Sequence, residues 1–381
     1  MEKQNKTIKV LQLGINLLFN KGGIYQAVRD YQEALGGAMC SLLDPMEAQH
    51  GMVDEINYRL LGADPLSRLA GRANHSAKIK LLSDLEEASH IFLHGSYRLT
   101  AAYALEACSY SPEDKALFYI PHGSLDPWVF EKRGFIKRLW LRHYGRRLFD
   151  DSRAVLAMTH NELKKIQKLA GTRHNQRVIY LPLDLQQCQV TRAASDTRSK
   201  YGIPTDVRLI CYLGRLHDMK RPLETIDAVL AASKQLHLVV IGPDDTITSN
   251  QLRQYVDRYG ARDRIHIIGP VYGVDKYNLL GACDAYISLS HRENFNYTAA
   301  EAMGMKRPVI LSPGNDLQGE ISQIDCGWML RSLDATEIMA CLSDFLETSD
   351  RQLAEMGQRG RCWVEENLSF DHFKDSLFSL L

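Results

Sequence analysis

The feature that most constrains this chain is an alternation that runs its course and then restarts. Short apolar runs form a first series: IKVLQLGI (8–15), HIFLHG (90–95), ALFYIP (116–121), AVLAMT (154–159) and VIYLPL (178–183). A second series follows: RLICYLG (208–214), LHLVVIG (236–242), RIHIIGP (264–270), DAYISLS (284–290) and RPVILSP (307–313). Between the runs lie segments of helical period such as YQAVRDYQEALGG, RPLETIDAVLAASKQ, QLRQYVDRYG and TEIMACLSDFLETS. Apolar strands separated by helices describe a parallel sheet covered on both faces, the doubly wound α/β class. The polar stretch 185–207 contains the helix-like SDTRSKYG and ends at a proline turn. It predicts a boundary between two Rossmann-like domains of about five strands each, 1–185 and 186–365. The 381 residues also exceed the roughly 250–300 that one core supports. RCWVEENLSFDHFKDSLFSLL reads as an amphipathic helix with Trp363, Phe370, Phe373, Leu377 and Phe378 on its apolar side, and 366–381 as a closing helical segment.

Charge narrows the partners. The net charge is zero, which argues against nucleic acid, whose binders carry a basic excess. The balance is uneven: residues 1–190 hold 25 Lys/Arg against 20 Asp/Glu, and the remainder 21 against 26. Eight dispersed cysteines with no CxxC pair read as reduced core residues of a cytoplasmic chain, not as a zinc site. The opening MEKQNKTIKVLQLGINLLF is interrupted by Asn and Gln, lacks a small-residue cleavage site and reads as a first strand. No run approaches the ~18 apolar residues that cross a bilayer, so any membrane contact is expected at the surface.

Ligands of open α/β sheets bind beyond the carboxyl ends of strands, beside helix amino termini. At NKGGIYQAVRDY, Gly22 and Gly23 join the first strand to the first helix. Paired glycines let backbone approach an anion there, and they equally suit a tight turn. At DAYISLS-HRENFNY-TAAEAMGM the strand ends near Ser290 and a helix begins near Tyr297 or Thr298. Glu293 then sits at the strand's end, beside helix amides that suit a diphosphate, and Glu301 lies one turn inside the helix, where it suits ribose hydroxyls. Both glutamates also fit as ordinary residues of a helix start. In GRLHDMKRP (214–222), Arg215 and Lys220 offer a fork and a point charge to a diphosphate; a solvated basic turn is the alternative.

Together these segments resemble the retaining glycosyltransferases of family 4, which have the GT-B fold. The carrying motifs are KGGI, GRLHDMKRP, Glu293-x7-Glu301 followed by Ala302-Met303, and RPVILSPGNDLQGEI, strongest over 205–330. PHGSLDPW with its following basic helix looks like a subgroup that builds bacterial polysaccharides. The resemblance implies two Rossmann-like domains facing a central cleft, with the terminal helix crossing back to the first. It implies that Glu293 holds hydroxyls of the transferred sugar while amides of Asn294, Phe295, Asn296, Tyr297 and Thr298 approach the diphosphate. Glu301 would bind ribose, Gly214, Arg215 and Lys220 the diphosphate, and Gly22 and Gly23 would close on it. His122 matches the family's cleft histidine, and His94 and Ser124 are candidates for the acceptor side. Base recognition would come from the loop near Val271 and Tyr272. Two departures stand out: Asn296 and Tyr297 replace the usual Gly and Asn, and Gly242-Pro243-Asp244-Asp245 replaces the usual turn. Asn tolerates unusual backbone angles nearly as glycine does, so phosphate binding is expected to survive. No metal-holding Asp-x-Asp stands at a strand end, so no metal or cofactor is expected, Arg215 and Lys220 replacing the cation. Front-face transfer with retention follows, from a UDP-sugar, UDP-glucose first, and domain closure would assemble the site.

The segment 131–151, EKRGFIKRLWLRHYGRRLFDD, interleaves Lys132, Arg133, Lys137, Arg138, Arg142, Arg146 and Arg147 with Phe135, Trp140, Leu141 and Leu148. It reads either as a basic helix lying on anionic lipid or as a solvated helix with its apolar side in the core. The first reading predicts a glycan or lipid-linked glycan acceptor at the inner membrane face. A UDP-sugar 2-epimerase of the same fold, or a non-catalytic nucleotide-sugar binder, is the competing expectation.

Overall fold

The computed structural model describes residues 9–15, 23–44, 49–53, 56–62, 75–97, 100–110, 115–131 and 134–381. The chain divides into one unit of Met1–Leu181 with Phe373–Leu381, and a second of Pro182–His372.

The first unit is built on strands β1 (Val10–Ile15), β2 (Met39–Asp44), β3 (Gln49–Val53), β4 (Ile56–Gly62), β5 (His90–His94), β6 (Ala116–Ile120), β7 (Ala154–Ala157) and β8 (Gln176–Val178). Their order is β3-β4-β2-β1-β5-β6-β7-β8, parallel except for the antiparallel β3–β4 pair. The sheet therefore holds eight strands where about five are expected. VIYLPL is corrected: pairing with β7 ends at Val178, and the following residues to Leu183 are not strand. Leu11, Leu13, Ile91, Leu93, Leu117 and Tyr119 form the core on one face, and Phe92 and Phe118, stacked at 4.6 Å, are buried on the other, the two-sided burial that a parallel sheet requires.

The second unit carries β9 (Arg208–Leu213), β10 (Leu236–Ile241), β11 (Ile265–Gly269), β12 (Ala285–Ser288), β13 (Val309–Leu311) and β14 (Gly327–Met329). All are parallel, in the order β11-β10-β9-β12-β13-β14. That is the doubly wound Rossmann order, in which the direction of progress reverses between the first and fourth strands. Here the reversal falls between β9 and β12. Those strands pair at Ile210–Ala285 and Cys211–Tyr286, so their pairing ends before their carboxyl ends, at the switch point where ligands of this fold class bind.

The terminal segment is two helices, not one. Asp350–Asn367 stops at Leu368, and Phe370–Phe378 restarts with the Ser369 hydroxyl accepting from the His372 amide. Phe373 and Leu377 are buried, and Phe373 meets the Tyr31 ring edge-on at 5.1 Å within the first unit, whereas Phe378 is exposed. Among the described residues no helix is long and apolar enough to cross a membrane.

Candidate functional site

At the β9–β12 switch point of the second unit, the loop leaving β9 is held from three sides. The Gly214 amide donates to the Ile241 carbonyl at 2.9 Å, the Leu216 amide to Pro243 at 2.9 Å, and the Tyr212 hydroxyl to the Arg215 carbonyl at 2.9 Å. Gly242 allows this approach, since a Cβ there would stand 1.8 Å from the Gly214 oxygen. Arg215 keeps a partly exposed guanidinium, oriented by Asp245 at 2.5 Å. Lys220 ends the short helical turn Asp218–Lys220, and its ammonium pairs with Glu293 Oε1. Both side chains are largely buried, and Ser290 adds a hydrogen bond to Glu293 at 3.0 Å. A buried carboxylate survives in such a place only when paired and hydrogen-bonded, which is Glu293's condition.

The loop after β12 is braced by the loop after β13. The Glu293 amide donates to the Gly314 carbonyl at 2.8 Å, and the Asp316 amide returns a bond to Glu293 at 2.9 Å. Gly314 lets the loops touch, because a Cβ would lie 2.2 Å from the His291 oxygen. Asn296 adopts left-handed angles (φ 56°, ψ 66°) and caps the helix Tyr297–Gly304 by accepting from the Ala299 amide. Its amide nitrogen donates to Asn315 Oδ1, and Asn315 in turn donates to Ser312 and to the Ser288 carbonyl. The replacement of the family's glycine is thus accommodated: Asn296 takes the glycine conformation and ties both loops together. Asn294 precedes buried Phe295, whose ring meets Tyr297 at 5.1 Å, and Thr298 shares a hydrogen bond with the Tyr286 hydroxyl at 2.8 Å. Glu301, one turn along, is paired with Lys276 at 2.6 Å and accepts from Tyr277 at 3.3 Å. Val271 follows β11, and its neighbour Tyr272 is 73% exposed.

The first unit gathers a second set. His122 follows β6 in a left-handed conformation (φ 53°), as does Gly123 (φ 69°). The turn is fixed by Glu162, a buried carboxylate accepting from the Gly123 amide at 2.6 Å and the Met158 amide at 2.8 Å. His94, at the end of β5, is buried with both ring nitrogens engaged: Nδ1 with His122 Nε2 at 2.8 Å and Nε2 with Gln12 Oε1 at 2.9 Å. His94 therefore stands behind His122 and is not itself open to an acceptor. Burial lowers His122 to about 3, and burial together with His122 holds His94 well below its ordinary value, so both rings are neutral. Ser124 shares a hydrogen bond with Ser96, which in turn reaches the Tyr119 hydroxyl, each at 2.5 Å. Gly23 opens the helix Gly23–Ala34 and is exposed; Gly22 lies outside the described residues.

The structure thus brings Gly214, Arg215, Lys220, Glu293, Asn294 to Thr298 and Glu301 to one end of the second sheet, with Val271 at the same end of an outer strand. His94, His122 and Ser124 form a separate group in the first unit. Sequence reasoning missed Asp245, Lys276, Ser290, Asn315, Gln12 and Glu162. Asp245 had a signal, in the unusual Gly-Pro-Asp-Asp turn; Asn315 had one in a polar residue following Pro313-Gly314 at a strand end.

The segment 131–151 is helical without a break over 134–151: α-helical Gly134–Trp140 and Arg146–Asp151 are joined by a π-helical Leu141–Gly145, and the junction residues keep right-handed helical angles. Leu148 and Phe149 are buried and Trp140 packs on Tyr97 at 5.2 Å, whereas Phe135, Ile136 and Leu139 are exposed at 79%, 64% and 57%. Lys132 and Arg133 lie outside the described residues.

Residues 194–363 match the model of the glycosyl transferases group 1 family. The D-inositol 3-phosphate glycosyltransferase of Mycolicibacterium smegmatis is 24% identical over 63% of this chain and 55% of its own length. That of Xylanimonas cellulosilytica is 28% identical over 42% of this chain and 40% of its own. The chain thus spans about half the length of these relatives. Among solved structures, Anabaena HepE in complex with UDP and glucose superposes with a TM-score of 0.78 at 17% identity, covering 98% of this chain and 99% of that one. Sucrose-phosphate synthase from Thermosynechococcus elongatus gives 0.75 at 18% identity, covering 98% of each chain. With the Rossmann strand order, the Arg–Lys loop and the Glu-x7-Glu helix now in place, residues 194–363 are similar to the group 1 glycosyltransferases, and the chain has the GT-B fold that its motifs' resemblance to family 4 implied.

Proposed function

We propose that this protein transfers a hexose, with retention and without a metal, from a nucleotide sugar to a lipid-linked or polysaccharide acceptor. The observation that carries the reading is the meeting, at the β9–β12 switch point, of Arg215 and the buried Lys220–Glu293 pair with the amino end of the helix Tyr297–Gly304. Cations and a helix amino terminus on one side of a carboxylate suit a sugar diphosphate: positive groups for the phosphates, an acceptor for the sugar hydroxyls. Glu301, further along the helix, is suited to the ribose. In the step itself the bond from the anomeric carbon to the diphosphate oxygen breaks as a bond to the acceptor oxygen forms on the same face. The departing phosphate takes the acceptor's proton, and Arg215 and Lys220 stabilise its growing charge.

Anabaena HepE, whose complexes hold UDP, glucose and UDP-glucose, favours a UDP-glucose donor over GDP-mannose. Phe135, Ile136 and Leu139, flanked by exposed Arg138 and Arg142, support docking on an anionic membrane surface, and the free, mostly buried thiols suit its cytoplasmic face. A thermal-shift panel of UDP, GDP and their sugars tests the donor: a nucleotide at ~100 times its dissociation constant adds about 2.7 kcal/mol. UDP-glucose should stabilise, and turnover should survive EDTA with the α-anomer as product. UDP-glucose isomerisation without an acceptor, or binding without transfer to any glycan, would overturn the reading. Flotation with phosphatidylglycerol vesicles should show binding that weakens with salt; its absence counts against the membrane face.

A further inference from the structure

The buried histidine pair of the first unit has a direction, set by an atom that has no choice. Gln12 on β1 points its side-chain amide at the Val28 carbonyl, 3.2 Å away on the helix Gly23–Ala34. A carbonyl oxygen only accepts, so the Gln12 atom facing it is the NH2 group, which also donates to Gln32 Oε1 at 3.1 Å. Gln12 Oε1 is then the atom 2.9 Å from His94 Nε2. This oxygen too only accepts, so His94 carries its proton on Nε2. A neutral His94 has a bare Nδ1, and that nitrogen lies 2.8 Å from His122 Nε2. The two rings lie edge to edge, centroids 5.1 Å apart and 16° from coplanar, as an N–H···N bond in the ring plane requires. His122 is therefore protonated on Nε2 and bare on Nδ1. That Nδ1 is buried and has no hydrogen-bond partner among the described residues.

We infer that Gln12 and His94 are positioning residues that lock His122 in the Nε2-protonated tautomer, so that its bare Nδ1 receives a hydrogen bond from a carbohydrate hydroxyl. A bare ring nitrogen accepts from O–H or N–H and repels phosphate and carboxylate oxygens, which have no proton to give at neutral pH. The relay thus excludes the phosphates from this position and reserves it for a sugar. A buried acceptor without a partner is unfavourable, so the position gains when such a hydroxyl arrives. Glu162 completes the device from the backbone side, holding the His122–Gly123 turn that aims the ring. The tautomer stands on the structure alone; the hydroxyl rests on the glycosyl-transfer reading.

The test is long-range proton–nitrogen correlation on the full chain labelled with 15N-histidine, His122 being assigned by its loss in His122→Asn. Wild-type protein at pH 7.5 should show His122 Nδ1 at the shift of an unprotonated ring nitrogen and Nε2 at that of a protonated one. An Nδ1-protonated His122, or a mixture, overturns the relay. In Gln12→Leu the single-tautomer signature should give way to a mixture, and its persistence would remove Gln12 from the relay. Addition of UDP-glucose should shift Nδ1 upfield and leave Nε2 in place, whereas UDP alone should not, if the hydroxyl belongs to the donor sugar. A shift with methyl glucoside instead assigns it to the acceptor glycan. If UDP-glucose binds by calorimetry and neither sugar moves Nδ1, the hydroxyl assignment falls. If UDP-glucose does not bind, the donor reading falls while the measured tautomer still decides the relay.

Discussion

Burying two neutral histidines at one site makes the first unit's stability depend on pH, and the sign follows from where the protons go. His122 is lowered by burial from an ordinary value of 6.5 to about 3, and His94 shifts the same way. Below pH 6.5 the unfolded chain takes up a proton that the native ring refuses, so the unfolded state binds more protons and stability rises with pH. The contribution is fully present above about pH 7 and is lost progressively as pH falls towards 3. Between pH 8 and pH 5 the loss from His122 alone is about 2 kcal/mol, and over the whole interval it approaches about 5 kcal/mol, at 1.36 kcal/mol per unit. The perturbation is His122→Asn, because Asn tolerates the left-handed backbone of this position and does not titrate. Urea unfolding at pH 8 and pH 5, with Trp328 and Trp363 replaced by Phe, lets Trp128 and Trp140 report on the first unit. The variant should lose about 2 kcal/mol less than wild type over that interval. Equal losses in the two proteins would refute the argument that His122 is held neutral by burial.

The second unit supplies three further tests. Arg215→Ala should lower turnover by ~100-fold or more, with little change in thermal stability because the Arg215–Asp245 pair is partly exposed; near-normal turnover would remove the arginine from charge stabilisation. Glu301→Gln should weaken UDP binding in calorimetry about tenfold, equal to one hydrogen bond to a charged acceptor, while GDP or UDP binding at wild-type strength would detach Glu301 from the ribose. Asn315→Leu leaves the Asn296 amide only a 3.4 Å contact to Ser288 and deprives the Ser312 hydroxyl of its side-chain donor, while the Ser288 carbonyl keeps only the Ser312 amide, so it should cost about 2–4 kcal/mol in chemical denaturation; a cost below about 1 kcal/mol would mean the two loops do not depend on it.

The fold was legible wherever burial imposes a continuous apolar run. LHLVVI is buried at every position of β10, and such strands announce themselves in sequence. The strands that escaped are different in kind. MCSLLD, QHGMV and INYRLLG carry Ser, His, Asn and Arg, and they form the β2–β4 edge of the first sheet, where pairing rather than composition makes the strand. GWM forms the opposite case, a three-residue strand half-buried at the edge of the second sheet. VIYLPL erred the other way: it is apolar because its residues lie in the core, yet it has no strand partner beyond Val178.

The site was legible for the same reason that it is incomplete in sequence. Arg215, Lys220, Glu293 and Glu301 sit at strand ends and helix starts, and those positions follow from local pattern, so a charged residue there stands out. What keeps them in place is not local. Glu293 is paired across 73 residues with Lys220, Glu301 across 25 with Lys276, Arg215 across 30 with Asp245, and Asn296 across 19 with Asn315. Of these partners Lys220 lies in a motif and Asp245 and Asn315 carry a weak local signal, while Lys276 is an ordinary polar residue in its own segment; the switch-point topology is what brings each to its partner. The Asn296 case shows how far this reaches. Read locally, an asparagine in place of glycine can keep the backbone angles and so the phosphate loop, but it adds a side chain where glycine leaves space. With Asn315 and Ser288 opposite, the same side chain is drawn inward, away from the loop's outer surface, and the backbone keeps the left-handed turn that the glycine would have supplied. A departure at the motif was therefore compensated outside it, by residues whose role becomes visible only once the strands are ordered.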